Sequence, residues 1–237
     1  MSPVLLPAER ALYGDSAMLI HRAASRWPGG IALPAAVQTA LNAGGDAIAE
    51  GRLRWMGNGS EAGRARFGGF LLGLERFDAV AFNLSPAEAG AMDPQQRLLL
   101  EMGYSALHDA GHRRRSLAGT RCGLFVGIEH FDWQLMQAIK TSRTALQRAS
   151  LYAASGEQAH VASGRLAFAL DVHGPAMSIN TACSSAVVAI HQGTTAMRAA
   201  ECDGALAAGI KVMLIAYSVD GSILAVDGRS KTFDRSA

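Results

Sequence analysis

The stretch around Cys183 constrains the fold more than any other part of the sequence. Residues 175–179 are a short run with the composition of a buried strand, and residues 184–200 carry the small and apolar side chains of a packed helix. Apolar runs at residues 121–127 and 204–212 predict two further buried strands. This strand, helix, strand order predicts a layered α/β domain, with Cys183 in a strand-to-helix turn.

The predicted position of Cys183 suits nucleophilic chemistry. The first N–H groups of a helix lack internal partners, and the helix dipole leaves partial positive charge at that end. A thiolate placed there is stabilised, and the same N–H groups can hold an oxyanion, so the turn favours a cysteine that accepts an acyl group. The alternative is a buried cysteine that packs as a small hydrophobic residue. Position alone leaves both interpretations open.

The residue order of the same stretch resembles a known active-site segment. Gly-Pro at residues 174–175 precedes Asn-Thr-Ala-Cys-Ser-Ser at residues 180–185, and an apolar helix follows. This order resembles the nucleophile segment of β-ketoacyl synthases, the thiolase-like condensing enzymes of polyketide and fatty acid synthesis. The resemblance runs from residue 17 to the end and is greatest to the ketosynthase domains of modular polyketide synthases. Other segments similar to family landmarks occur in family order at residues 77–86, 92–101, 164–166, 201–203 and 227–234.

The resemblance implies a thiolase-like layered αβαβα fold, of which this chain supplies the first of two pseudo-repeats. Residues 1–16 would then be a lead segment, and residues 17–237 the N-terminal half of a ketosynthase domain. Cys183 would carry the acyl chain as a thioester for decarboxylative condensation. No bound cofactor is implied, because the family's substrates are carried on the phosphopantetheine of an acyl carrier protein. That carrier protein is the expected partner.

The resemblance also predicts an assembly. In the family, the strand that leads to the nucleophile pairs with its copy across a two-fold axis, and residues 175–180 correspond to that strand. Residues 155–170, whose apolar spacing is helical, would pack beside it. The face toward the second pseudo-repeat would be apolar and uncovered. We therefore expect a homodimer or a complex with a separate C-terminal ketosynthase half.

The residues that decarboxylation requires are missing from the sequence. The family uses two histidines, one in a His-Gly-Thr-Gly-Thr segment and one in an Asn-x-x-Gly-His segment, and neither segment occurs here. His160, His173 and His191 match no catalytic position of the family and are interpreted as ordinary histidines. We therefore expect this chain alone to be acylated without condensing two acyl units. The rival interpretation is a non-enzymatic scaffold or interaction protein, or an inactive gene fragment.

Charge, hydropathy and cysteine spacing argue against several other classes of protein. A formal net charge of +2 is too small to indicate nucleic-acid binding. No apolar run reaches the roughly 18 residues of a membrane span, and the first residues lack the features of a signal peptide, so we expect a cytoplasmic protein without a membrane segment. No Cys-x-x-Cys pair occurs, which favours neither a disulfide framework nor a zinc site. Cys122 and Cys202 are interpreted as packing residues.

Capping signals predict the clearest helix of the scaffold, over residues 93–109. Asp93 can cap the free N–H groups, and Gln96 three residues later completes a capping box. The basic cluster at residues 112–115 follows the end of this helix. Such a cluster complements the helix dipole; the alternative is a docking patch for an acidic partner.

The N-terminal third of the chain gives weaker signals. Residues 16–20 are a candidate first strand, although His21 and Arg22 follow where the family keeps small or apolar residues. Residues 33–49 have helical spacing. Residues 51–69 are rich in Gly and Arg, which predicts a solvated loop.

Overall fold

The computed structural model describes residues 18–50, 67–129, 132–141, 153–156 and 158–214. The described part of the chain divides into two compact units. The sheet unit comprises residues 18–24, 99–128 and 160–210, and the second unit comprises the other described residues. The predicted lead and the landmark at residues 227–234 lie outside the described residues.

The described helices and strands confirm the predicted α/β character. The helices are α1 (Pro34–Asn42), α2 (Pro86–Ala91), α3 (Pro94–Asp109), α4 (Arg114–Leu117), α5 (Asp132–Thr141), α6 (Ala153–Gly156), α7 (Ala162–Leu170) and α8 (Ser185–Arg198). The strands are β1 (Ala49–Glu50), β2 (Phe67–Gly68), β3 (Cys122–Ile128), β4 (Ala176–Ile179) and β5 (Gly204–Ile210). Short 3₁₀ turns lie at Pro28–Gly30, Val80–Phe82, Ala159–Val161 and Ala182–Ser184.

The sheet unit is built on three parallel strands in the order β4-β3-β5. The central strand β3 is buried, with Leu124 and Phe125 both 0% exposed, as expected for a strand covered on both faces. Among the described strands β4 lies at an edge, and its Met177 is 43% exposed. The strand before Cys183 is therefore present as predicted, but it is half exposed rather than buried.

Helices cover both faces of this sheet. On one face, Phe125 of β3 packs against Ala189 of α8 in a buried cluster, and Ala205 of β5 packs against the same cluster. Because side chains alternate along a strand, Leu206 of β5 points to the opposite face. There, a Cβ placed on Gly103 of α3 would lie 3.2 Å from Leu206 and 3.1 Å from Leu166 of α7. The sheet unit thus has three layers, with α8 on one side and α3 and α7 on the other.

The start of α3 confirms only part of the capping prediction. Asp93 Oδ1 accepts the Gln95 N–H at 2.7 Å, so the carboxylate caps the helix. Burial raises the pKa of the Asp93 carboxyl. The predicted capping box is wrong, because the Asp93 N–H donates to the Gly156 carbonyl oxygen at 2.8 Å. The Gln96 amide instead donates to the Gln158 carbonyl oxygen at 3.0 Å, which joins α3 to a distant segment of the second unit.

The helix predicted over residues 33–49 ends early. α1 stops at Asn42, where Gly44 adopts a left-handed φ of 64° and the Gly45 N–H bonds back to the Ala40 carbonyl oxygen. This glycine pair ends the helix because left-handed backbone cannot continue it. Ala49, the last residue of the predicted helix, instead begins β1, which pairs with β2.

The other N-terminal predictions are tested in part. Residues 18–20 of the candidate first strand are exposed and form no strand, so the prediction is wrong there. Most of the predicted loop, residues 51–66, lies outside the described residues, and the next two residues form β2.

The helical segment predicted over residues 155–170 is divided in the structure. α6 ends at Gly156, a 3₁₀ turn follows, and α7 starts at Ala162. The Ser163 N–H donates to Ser178 Oγ of β4 at 3.2 Å, so the sheet provides an acceptor at this helix start.

Two arginines of the basic cluster after α3 contact groups of the same chain. Arg113 Nη1 donates to the carbonyl oxygens of His108 and His112 at 3.2 and 3.0 Å, where α3 ends. The Arg114 guanidinium lies over the Tyr104 ring, 5.1 Å from its centroid. These contacts favour the role at the helix end, and docking of an acidic partner stays a prediction.

Candidate active site

Cys183 lies in the turn between β4 and α8, as predicted. It is the middle residue of the 3₁₀ turn Ala182–Ser184, and its side chain is exposed. The turn follows the carboxyl end of β4, and ligand sites of parallel α/β sheets lie at the carboxyl ends of their strands. The exposed position removes the alternative that Cys183 is a buried packing residue.

Side chains within the turn hold an unusual backbone conformation directly before Cys183. Ala182 has a φ of 53°, a left-handed conformation that is rare for a residue with a Cβ. Its N–H donates to Asn180 Oδ1 at 3.1 Å. Its carbonyl oxygen accepts a hydrogen bond from Ser185 Oγ at 2.8 Å, and the same Oγ accepts the Thr181 N–H at 2.8 Å. Ser185 therefore bonds to the backbone on both sides of the Ala182 φ angle.

Two glycines let the start of α8 approach the sheet closely. A Cβ on Gly127 of β3 would lie 2.6 Å from the Ser185 carbonyl carbon. A Cβ on Gly209 of β5 would lie 2.5 Å from the Ala186 Cβ. Real Cβ atoms do not approach other atoms this closely, so both positions require glycine while α8 keeps its place. The close approach fixes the helix start that follows Cys183.

This arrangement can stabilise negative charge beside Cys183. α8 begins at Ser185, two residues after the thiol, and runs for 14 residues. Its dipole leaves partial positive charge at that end, so charge developing on sulfur or on a substrate oxygen beside it is stabilised. An exposed thiol beside a helix start is an arrangement that favours attack on a thioester.

The other two cysteines are poorly suited to attack. Cys202 is 3% exposed in the cluster around Phe125, and burial raises the pKa of its thiol. Burial also raises the pKa of Cys122, to about 11, and the nearby Cys202 adds to this shift. Both therefore have the packing role predicted for them.

We expect iodoacetamide to modify Cys183 at least about tenfold faster than either other cysteine at pH 8 in the native protein. At that pH, a thiol with the pKa of Cys122, about 11, is only about 0.1% thiolate. Labelling of Cys122 should rise about tenfold per pH unit up to its pKa. Peptide mass spectrometry after timed quenching measures all three sites. Faster labelling at Cys122 or Cys202 would contradict this prediction.

The three histidines that match no catalytic position of the family lie at different places relative to Cys183. His173 precedes β4, so the length of this strand separates it from Cys183, and its Nε2 lies 3.3 Å from Asp171 Oδ1. His191 is exposed eight residues after Cys183, about 12 Å along the helix at 1.5 Å per residue. His160 lies in the 3₁₀ turn directly before α7, and α7 bonds to β4 at Ser178, so His160 is at the same end of the sheet as Cys183. Its interpretation as an ordinary histidine stays a prediction.

Sequence reasoning did not assign roles to Ser185, Gly127 and Gly209. Ser185 was part of the recognised segment, and a serine at a helix start commonly bonds to nearby backbone groups, which is a usable signal. Gly127 ends the strand predicted over residues 121–127, but its contact with α8 depends on how β3 and α8 pack. That packing has no local sequence signal.

The described part of the chain has neither a membrane-spanning helix nor a cluster of metal ligands. No helix there has the length and apolar character that crossing a membrane requires. No group of three or more His, Cys, Asp or Glu side chains is placed there to hold a metal ion.

The fold and the turn define a class of protein, with a parallel α/β unit and an exposed cysteine between a strand and the helix that follows it. The sequence matches the profile described as beta-ketoacyl synthase, N-terminal domain, over residues 20–237. The chain therefore belongs to the β-ketoacyl synthase family, as the resemblance predicted.

Its curated relatives include polyketide synthases. The chain is 40% identical over 228 residues to the spectinabilin polyketide synthase system protein NorA' of Streptomyces orinoci. The aligned segment covers 94% of this chain and 6% of the relative. It is 40% identical over 221 residues to erythronolide synthase EryA3 of Saccharopolyspora erythraea, covering 90% and 7%. The chain thus spans only a small part of the curated relatives it matches.

Solved ketosynthase structures have the same fold. One is a cysteine-to-serine mutant of the ketosynthase from module 6 of the bacillaene synthase of Bacillus subtilis 168, with a TM-score of 0.74, 28% identity, and coverage of 87% of this chain and 34% of that one. The oxazolomycin ketosynthase domain OzmH KS7 of Streptomyces albus JA3453 has a TM-score of 0.73, 28% identity, and coverage of 90% and 39%. The thiolase-like fold class is confirmed, and this chain covers part of that fold.

Proposed function

We propose that the chain is a ketosynthase-type acyltransferase of polyketide or fatty acid synthesis that accepts an acyl group as a thioester on Cys183. The observation that carries the proposal is the exposed Cys183 in a braced turn between β4 and α8. Membership of the β-ketoacyl synthase family supports it, because decarboxylative condensation needs an acyl group held on the enzyme.

The acyl transfer is a simple exchange of thioesters. Cys183 Sγ attacks the carbonyl carbon of an acyl thioester, and the developing oxyanion is stabilised at the start of α8. A new bond forms between this carbon and Sγ while the bond to the donor sulfur breaks. The proton lost by Cys183 ends on the released donor thiol. We propose the phosphopantetheine arm of an acyl carrier protein as donor, with no cofactor bound by this chain.

Release of free thiol from an acyl-pantetheine thioester tests the proposal. We expect a single burst equivalent to one acyl group per chain, with the acyl group retained on the protein. The released thiol can be measured with a disulfide reagent after the protein is removed. Absence of the burst would reject the proposal and would favour the non-enzymatic scaffold or the inactive fragment.

Family membership also supports a proposal for the domain bounds. Residues 17–237 would form the N-terminal half of a ketosynthase domain, and residues 1–16 would be a lead segment. We propose that the protein acts in the cytoplasm.

The first proposed assembly is a complex with a separate C-terminal half. Val187 and Ile190, which are 68% and 50% exposed on α8, provide an apolar face that this half would cover.

The second proposed assembly is a homodimer through the edge of β4. Met177 on this strand is 43% exposed and Phe168 on the adjacent α7 is 90% exposed. An open strand edge beside exposed apolar side chains favours pairing with a second copy. The two copies would then be related by a two-fold axis.

Light scattering after size exclusion is expected to give the mass of a dimer at micromolar concentration. Met177→Asp should shift this mass toward the monomer, because a charge would be buried in the pairing surface. The control Val80→Asp changes a side chain that is 82% exposed in the second unit and should leave the mass unchanged. A monodisperse monomer of the wild-type chain would contradict the proposed dimer.

A further inference from the structure

We propose that Ser185 is a positioning residue for acyl transfer, which rests on the function proposed above. Its hydroxyl clamps the backbone on both sides of Ala182 and so fixes the direction in which Cys183 presents its sulfur. Ser185 itself has no role in bond formation. Its action is through the backbone turn that carries the nucleophile.

The clamp is made of two short hydrogen bonds from one buried side chain. Ser185 is 6% exposed. Its Oγ accepts the Thr181 N–H at 2.8 Å and donates to the Ala182 carbonyl oxygen at 2.8 Å. A hydroxyl group has one donor and two acceptor sites, so both bonds can form at the same time.

The backbone that the clamp encloses needs such support. Ala182 has a φ of 53°, which an alanine adopts only when its surroundings impose it. Without the Ser185 hydroxyl, rotation of Ala182 toward negative φ would become easier. Cys183 is the next residue, so the same rotation would turn its Cα–Cβ bond away from its present direction.

The base of the clamp is held in place by the sheet. The Ser185 carbonyl carbon lies 2.6 Å from where a Cβ on Gly127 would be, so the first turn of α8 rests directly on β3. The Ser185 N–H also donates to the Ala182 carbonyl oxygen. Ser185 therefore transfers the fixed position of β3 and α8 to the turn.

Neighbouring side chains do not duplicate this arrangement. Asn180 Oδ1 accepts the Ala182 N–H, which lies on one side of the φ angle. Ser184 Oγ donates to the Thr181 carbonyl oxygen at 2.8 Å, but Ser184 is exposed, so water can compete for that bond. Ser185 is the buried hydroxyl of this turn.

The test compares acyl transfer with simple alkylation in Ser185→Ala. Attack on a thioester depends on the direction of the sulfur relative to the carbonyl and to the helix start, whereas iodoacetamide reacts from any open direction. We expect the maximal single-turnover acylation rate to fall about tenfold, with the half-saturating concentration of acyl-pantetheine unchanged within about twofold. Iodoacetamide labelling of Cys183 should change by less than about threefold.

The matched control is Thr195→Ala, which also removes a hydroxyl that donates to a backbone carbonyl in α8, here that of His191 at 3.0 Å. It should leave the acylation rate unchanged. Labelling of Cys122 and Cys202 reports whether each variant remains folded, because both thiols are protected in the native protein. A general loss of structure would expose them, whereas a change confined to the turn would not.

Ala182→Gly provides a second background for the same comparison. Glycine adopts positive φ without strain, so the turn should need the clamp less. We expect Ala182→Gly/Ser185→Ala to recover at least half of the rate lost in Ser185→Ala. If Ser185→Ala does not fold, Ala182→Gly should restore folding to the double variant and keep its acylation rate within about twofold of Ala182→Gly, and failure of either overturns the positioning role.

The outcomes distinguish this proposal from the function on which it rests. A wild-type chain that takes no acyl group overturns both. A wild-type chain that is acylated at the same maximal rate as Ser185→Ala overturns the positioning role alone. An equal loss in acylation and in alkylation, or a tenfold loss that persists in the Ala182→Gly background, also overturns it.

Discussion

Incubation of the 237-residue polypeptide with acyl-pantetheine and malonyl-pantetheine is expected to give acylated protein and no β-ketoacyl product. Condensation requires loss of carbon dioxide from the malonyl group and stabilisation of the enolate that forms. In the family, two histidines assist this step, and the segments that carry them do not occur in this sequence. Removal of one oxyanion donor typically costs about 10² to 10³ in rate, so loss of both histidines should reduce condensation by at least about 10⁴.

Mass spectrometry of the released pantetheine products measures this outcome. An intact ketosynthase domain assayed in parallel is the positive control and should form the β-ketoacyl product. Formation of the same product by the purified chain alone would contradict the prediction. His160 would then be the first histidine to replace, since it lies at the same end of the sheet as Cys183.

Replacement of Gly127 by alanine is expected to destabilise the protein by about 3 kcal/mol and to slow acylation of Cys183 as well. The new Cβ would lie 2.6 Å from the Ser185 carbonyl carbon and 2.7 Å from the Ala186 nitrogen. Both are backbone atoms and cannot rotate away, so α8 would have to move off the sheet. For a protein of this size, the loss corresponds to a fall in melting temperature of about 10 °C.

Gly164→Ala is the matched control for this substitution. Gly164 is inside α7, and no atom lies within 4 Å of the Cβ that alanine would add. Alanine is favoured over glycine within a helix by up to about 1 kcal/mol, so this variant should be as stable as wild type or slightly more stable. Thermal unfolding followed by circular dichroism compares the variants. A melting temperature of Gly127→Ala within about 2 °C of wild type would show that the close approach is not required.

The parts of the fold that sequence predicted have strong local signals. The strands β3 and β5 are apolar runs of seven residues, and α8 begins where the small residues after Cys183 indicate a helix start. The predicted position of Cys183 did not decide between a nucleophile and a packing residue, and the family resemblance is what implied the acyl-accepting role. Its exposure in the structure agrees with that resemblance.

The parts that sequence did not predict depend on distant contacts. Gln96 has the spacing of a capping box, yet its amide bonds to a carbonyl 62 residues away, because tertiary contacts override local capping signals. The half-exposed state of β4 follows from its place at the edge of the sheet, which its apolar sequence does not reveal. Ser185 was visible in the sequence, but the two hydrogen bonds that its hydroxyl makes to the turn depend on the φ of Ala182.

The position of the acyl group after reaction tests the central claim most directly. The protein is incubated with an acyl-pantetheine thioester, digested at low pH to preserve thioesters, and analysed by peptide mass spectrometry, with Cys183→Ala as the control. The predicted result is one acyl group on the peptide that contains Cys183, released by hydroxylamine and absent from Cys183→Ala. No adduct on the wild-type chain, or an adduct on Cys122 or Cys202 instead, would contradict the assignment of Cys183 as the acyl acceptor.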